Sequence, residues 1–353
     1  DADRLELTST NPVPVVEGVH ERPFAIRTSM FALADNGSLV YTAGIAEGDG
    51  APRSLVWVDR EGGESVLATP ILPFASASIS PDGTRVAYAA GEGSVGDIWV
   101  HDLERGTETR LTTEAERDYA PLWAPDGERV VFVSERGGDV ALFQTQADGS
   151  GEAERLVREG RGVSNMAPSG WSPDGQTLLY WEARARPPDV GLVSMEGDRA
   201  TRLLLDSEFV EVNAVVSPDG GWMAYESYET GRPEVYVQRF PDLGGKQAIS
   251  TDGGQHPLWS ADGRELFYRT PTAMMRVAVL QVEPTFRAGG SEVLFETPEY
   301  RLIPERTHDL HPDGQRFLMV KELSDDSGTS VGPQLVLVEN WEEELKRLVP
   351  SSP

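Results

Sequence analysis

Leu122-Trp123-Ala124-Pro125-Asp126-Gly127-Glu128-Arg129-Val130-Val131-Phe132 decides the fold: an apolar run, a Pro-Asp-Gly turn, and a second run of alternating pattern. Near copies sit at Ile79 to Tyr88, Gly170 to Tyr180, Val216 to Tyr225, Leu258 to Tyr268 and Leu310 to Met319, and a degenerate one at Ala34 to Tyr41. Pro presets φ at the second turn position, Asp caps its own backbone, and Gly takes the left-handed conformation that closes a tight hairpin. The turn aspartates Asp35, Asp82, Asp126, Asp174, Asp219, Asp262 and Asp313 are spaced by 47, 44, 48, 45, 43 and 51 residues. A period in the forties built of strand-like units marks a propeller array.

Working outward from each turn, four strands fit into every repeat. In the second repeat strand A is read as Phe74 to Ser80, B as Arg85 to Ala90, C as Asp97 to Leu103 and D as Glu108 to Thr113, with Gly-rich or polar joints between them. Strand C recurs at Ser54 to Asp59, Ala141 to Thr145, Asp189 to Met195, Glu234 to Phe240, Met274 to Leu280 and Gln334 to Val338. The last repeat lacks a D strand, and the N-terminus offers a lone one at Pro12 to Val16. The expectation is an all-β chain: one seven-bladed β-propeller domain over residues 1–353, of four-stranded antiparallel blades. The N-terminal strand 12–16 is expected to complete the last blade and so close the ring. A short C-terminal helix is expected over 341–349, with Asn340 as cap, Glu343 in the capping box and Pro350 as its stop.

Composition narrows the function. The 58 acidic residues outnumber 31 basic ones, a net charge of −27 that repels phosphate backbones and argues against nucleic acid as a partner. Cysteine is absent, which removes disulfides, thiolate metal sites and thiol nucleophiles, and fits either redox compartment. No apolar run approaches the ~18 residues that suggest a membrane-spanning helix. The opening Asp1-Ala2-Asp3-Arg4-Leu5, without initiator Met or signal peptide, reads as the middle of a longer protein.

Catalytic motifs are not found: there is no nucleophile elbow, zinc-protease helix, phosphate loop or dinucleotide fingerprint. His308 and His311 are three apart in a strand, so they face opposite ways and cannot readily share a metal. Trp123, Trp171 and Trp259, each just before its turn, are expected to pack blade against blade. No catalytic residue, cofactor or metal is therefore assigned. Where the repeats differ most is the entry into strand A, which rings one mouth of the central channel. The candidate binding residues there are Arg117, Asp118, Tyr119, Asn165, Glu211, Asn213, Gln255, His256, Arg306 and His308. A satisfied polar rim around a water-filled channel is the competing reading of the same residues. The expected occupant is a protein or peptide, or a small molecule. Arg117 and Arg306 would be local positive points suited to a carboxylate, unless they merely pair with Asp118 and Glu305.

Ser-Pro-Asp-Gly-x-x-Val/Leu-x-Tyr/Phe, followed by Asp97-Ile98-Trp99-Val100-His101-Asp102-Leu103 and Thr109-Arg110-Leu111-Thr112, resembles the TolB-type, WD-like propeller repeat over essentially the whole chain. Leu55 to Gly62, Glu234 to Pro241, Trp259 to Arg269, Pro284 to Gly289 and Asn340-Trp341 resemble, more narrowly, the extracytoplasmic propeller of bacterial eukaryotic-type Ser/Thr protein kinases. The resemblance implies a periplasmic or cell-surface module that senses or binds. The kinase motifs themselves are not in this sequence, and TolB's additional N-terminal domain and six-bladed ring do not fit the seven repeats counted here. Two rival readings are the accessory propeller of a prolyl-oligopeptidase-type serine peptidase, and a propeller lyase or hydrolase with its site in the channel mouth.

Overall fold

The computed structural model describes residues 53–323 apart from 68, 70–71, 73, 92–95, 158–161 and 185–186, and outside them the strands at 21–22, 28–29, 31–33, 39–43 and 334–338. Two compact units result, residues 49–323 and the pair of flanks 1–48 with 324–353.

The larger unit is built by the Pro-Asp-Gly turn. In the first copy Asp82 Oδ1 takes the Ser80 hydroxyl at 2.6 Å and the Thr84 amide at 3.0 Å. Gly83 donates its amide to the Ser80 carbonyl at 2.8 Å with φ at +74°. The serine–aspartate contact repeats at Ser172–Asp174, Ser217–Asp219 and Ser260–Asp262. Each turn joins an inner strand to a second strand, and two further strands complete an antiparallel sheet. Blade 1 contains Phe74–Ile79, Arg85–Ala90, Asp97–Asp102 and Thr107–Arg110, close to the boundaries expected from alternation. Blades 2 to 5 begin with inner strands Asp118–Trp123, Asn165–Trp171, Glu211–Val216 and Gln255–Trp259 and follow the same order.

The sixth blade corrects the expected seven. Its strands are His308–Leu310, Arg316–Glu322, Arg53–Asp59 and Glu64–Val66, so the ring closes two strands against two, and six four-stranded blades are found among the described residues. Strand 54–59, assigned from the sequence to the Asp35 repeat, is the third strand of the Asp313 repeat. Strand Gln334–Val338, assigned to that repeat, pairs instead with Leu39–Ala43, which also pairs with Phe31–Leu33 in the second unit. The position given to Pro12–Val16 is filled by Glu64–Val66; Pro12–Val16 itself and the expected helix over 341–349 lie outside the described residues.

The register explains the exchange. Arg316–Glu322 and Arg53–Asp59 match over seven consecutive pairs, which put Phe317 and Met319 beside Val58 and Val56 on one face, Leu318 and Val320 beside Trp57 and Leu55 on the other. Both faces are buried: the first packs with Phe267, Met274 and Phe295 of blade 5, the second with Phe74, Val86 and Tyr88 of blade 1. A one-residue slip would exchange the two faces. A turn signal identifies a hairpin, but not which distant third strand pairs with it.

Other neighbouring blades share apolar layers too. Trp222, Val235 and Val237 of blade 4 pack on Leu266, Tyr268 and Val277 of blade 5, and Leu179, Val190 and Leu192 of blade 3 on Met223 and Tyr225 of blade 4. Trp123 donates Nε1 to the Ser78 carbonyl at 3.1 Å and Trp259 to the Val215 carbonyl at 3.2 Å, blade to blade as their place before the turn implies.

Candidate functional site

The inner strands are not regular. The pairing with the second strand shifts between Tyr119 and Leu122, between Val212 and Val215, and between Gln255 and Leu258. At these bulges Ala120, Asn213 and His256 have φ of +52°, +56° and +53°, a conformation uncommon in residues other than glycine. Bulges bend a strand and re-aim its side chains; here they lie on inner strands at the entry to the channel.

Two groups form at this entry. In the first, on blades 2 and 3, the Tyr119 hydroxyl donates to Asn165 Oδ1 at 3.0 Å, and the Arg117 guanidinium lies 4.6 Å from the centre of the Tyr119 ring. Asp118, fully buried, accepts from Arg136 Nη2 at 3.2 and 3.3 Å, so its ion-pair partner comes from the loop after the second strand. Burial pushes the Asp118 carboxyl up, while Ser134, Thr112 and Arg136 pull the other way.

The second group centres on Glu226, buried in the second strand of blade 4. Its carboxylate accepts from Asn213 Nδ2 at 3.1 Å, Gln255 Nε2 at 3.3 Å and the His256 amide at 3.3 Å. Burial raises its pKa, and these donors work against that rise. His256 stacks on His308 with ring centres 5.7 Å apart and planes 10° from parallel. Burial, reinforced by Arg269 and Arg306, lowers the His256 pKa to about 3 and holds His308 well below its ordinary value. The ring nitrogens make no well-formed hydrogen bond among the described residues, although the backbone at Ile303 and His256 weakly favours the charged forms. Parallel rings do not converge their lone pairs on one ion, and no group of three metal-ligand side chains is found among the described residues.

Arg306 links this group to the opposite side of the ring. Its Nη2 donates to the Ser169 carbonyl of blade 3, and its Nη1 lies 3.8 Å from Asp309. Asp309 in turn accepts from the Ile79 amide at 2.9 Å and the Leu310 amide at 3.0 Å. Glu211 stands apart from both groups: it is buried, its carboxyl is raised by that burial, and Lys246, Asp189 and Glu229 lie near it.

Sequence reasoning missed Glu226 and Arg269. They occupy the fifth position of a second strand, where other blades have Ala89, Val133, Trp181 and Val320. An ionisable residue in an otherwise apolar column was the available signal. Arg269 is fully buried and donates to the carbonyls of Arg301 at 2.8 Å and Tyr300 at 3.2 Å, fastening the connector that carries Arg306. Desolvation lowers its pKa to about 10.

With this geometry in view, the likenesses to known proteins can be placed. Residues 65–185 match the TolB beta propeller domain model. A 117-residue stretch is 32% identical to the uncharacterised peptidase YuxL of Bacillus subtilis, covering 31% of this chain and 17% of that protein. A 177-residue stretch is 32% identical to the uncharacterised protein Atu1656 of Agrobacterium fabrum, covering 47% of this chain and 59% of the relative. The chain thus spans less than two-thirds of either relative. Among solved structures, a putative TolB from Agrobacterium tumefaciens superposes with a TM-score of 0.63 at 18% identity, over 78% of this chain and 99% of that one. No helix among the described residues is long and apolar enough to cross a membrane. What the family match over residues 65–185 and the superposition share is the architecture: a β-propeller with the fold of TolB, carrying a PD40-type stretch at residues 65–185.

Proposed function

We propose that this chain is a non-catalytic, extracytoplasmic binding module that holds a protein or peptide at the entry to its channel. One observation carries the reading. The turns at the far end of the inner strands repeat almost unchanged, whereas the entry differs from blade to blade, with half-buried Asn165 and Asn213 backed by buried Tyr119 and His256 on a frame rigid enough to keep three residues in left-handed backbone conformations. Glu226 and Asp309, which a reaction would need as acid or base, already spend both oxygens on positioning N–H and O–H groups. The extracytoplasmic placement rests on the likeness to TolB-type propellers. Nucleic acid is not the expected ligand, because a net charge of −27 opposes it.

A second reading, the accessory propeller of a serine peptidase, is favoured by the 117-residue likeness to a peptidase. Co-purification from the native organism separates the two: an unconnected protein captured by the ring supports the first, a hydrolase domain joined to it the second. With a captured partner, Arg117→Ala is expected to weaken binding by about 1–3 kcal/mol. Undiminished affinity would move the site away from this entry.

A further inference from the structure

The residue that opens the second strand of each blade, directly after the turn, is Arg85, Arg129, Thr177, Trp222, Glu265 and Arg316 in ring order. Arg85, Trp222, Glu265 and Arg316 fill the groove toward the next blade or brace its wall, whereas Arg129 turns back to Asp126 and Gln144 of its own blade. Arg85 lies 4.6 Å from the Trp123 ring centre and donates Nη2 to the Gly127 carbonyl of the next blade at 2.7 Å. Arg316 lies 4.4 Å from the Trp57 ring centre, and Glu265 holds Arg60, whose Nη1 reaches the Gly314 carbonyl at 3.1 Å. Thr177 is too short to do any of this. Between blades 3 and 4 a cleft of about 610 Å³ stands open, within the usual range of ligand sites. Where Trp222 holds the same position, between blades 4 and 5, the cleft measures about 240 Å³.

We propose that the cleft between blades 3 and 4 receives an arginine side chain of a partner polypeptide, in the place that Arg85 occupies between blades 1 and 2. Gly220 lines the cleft as the counterpart of Gly127, the turn glycine whose carbonyl receives Arg85. Leu192 and Phe240 provide an apolar wall for an aliphatic stem and a ring for a guanidinium face. Asp174 and Asp219 bring carboxylates, each turned into its own loop through Oδ1, and Arg202 on the outer strand is the one cation in the lining. The volume exceeds that of a single side chain, so the residues flanking the arginine have room. Guanidinium is favoured over ammonium because it stacks on an aromatic face and donates in a planar fork. The cleft is at the turn end of the inner strands, away from the channel entry, so this proposal stands independently of the proposed function.

The test uses the full chain and the peptide acetyl-glycyl-arginyl-glycine amide, followed by methyl resonances of Thr177, Leu192 and Thr201. Saturable shifts confined to these groups are expected, with the lysine analogue about fivefold weaker or more. Thr177→Arg should fill the cleft from within, raise the melting temperature and abolish the Leu192 response. Non-saturating shifts, equal binding of the lysine peptide, or a folded Thr177→Arg protein that binds like the parent would each overturn the proposal. Should Thr177→Arg fail to fold, Phe240→Ala decides: a loss of about fivefold supports the site, and unchanged affinity removes it.

Discussion

Arg306 reaches across the ring to Ser169: its Nη2 donates to a carbonyl 137 positions earlier in the chain, on the blade three places away among six. The bond ties opposite walls of the channel, and Asp309 beside it is held by amides of blades 1 and 6. The two arginines expected to act alike at the entry therefore have different duties.

Arg306→Ala removes a charge-assisted bond and leaves the Ser169 carbonyl and Asp309 without it. A destabilisation of about 1–2 kcal/mol is expected in denaturant titration, toward the low end because the side chain is 20% exposed. Arg117→Ala gives up a stacking contact on Tyr119, itself worth about 0.5–1 kcal/mol, and ties no opposite wall of the ring. Equal losses in the two variants would contradict the cross-channel role of Arg306.

Turn glycines should also differ from one another. Gly83 and Gly127 both have positive φ, +74° and +68°. A β-carbon on Gly127 would meet nothing closer than 3.9 Å, so Gly127→Ala should cost only the left-handed strain, about 1–2 kcal/mol. On Gly83 it would lie 2.6 Å from His311 Nε2, and His311 is wedged against Trp57. Gly83→Ala is expected to be the more damaging by at least 1 kcal/mol in paired thermal melts.

Acid should expose the histidine stack. His256 is neutral in the folded protein down to about pH 3, whereas the unfolded chain takes up the proton near pH 6.5. Between those values the unfolded state binds more protons, so this contribution is complete above pH 6.5 and is lost as pH falls. The slope is at most about 1.4 kcal/mol per pH unit per histidine. Glu226, Asp118 and Asp309, with raised values, work in the opposite sense, so the variant is compared with the parent rather than read alone. His256→Asn keeps a residue that accepts positive φ and should flatten the stability curve between pH 6 and 4 relative to the parent. Superimposable curves would show that the stack does not titrate as described.

The sequence made the hairpins legible because Pro-Asp-Gly has its own local mechanics; Arg85–Ala90 was bounded correctly from that and from alternation. It did not make the blade count legible. Arg53–Asp59 and Gln334–Val338 are both good third strands, and only register against a distant partner distinguishes their places. Of the candidate entry residues, Asn213, Gln255 and His256 meet around Glu226 and Tyr119 meets Asn165, while Asp118 turns to Arg136 and Glu211 lies with Asp189. The bulges behind this sorting have no common sequence signature: Asn213 and His256 are types that tolerate a left-handed backbone, but nothing around them marks a bulge, and Ala120 is not such a type.

The two-plus-two closure of the sixth blade sets an order of events during synthesis. Arg53–Asp59 emerges early, but its partner Arg316–Glu322 is made more than 250 residues later. At ribosomal speeds of about 5–20 residues per second the wait is roughly 13–50 s. Throughout it, Leu55, Val56, Trp57 and Val58 lie in a strand paired on one edge only, with Glu64–Val66, and its other edge is open, the kind of segment that chaperones hold and that aggregates capture. A stop codon or stall anywhere before residue 316 leaves that strand permanently open. The ring is thus a fold whose first and last blades become secure together, when the strand Arg316–Glu322 is made.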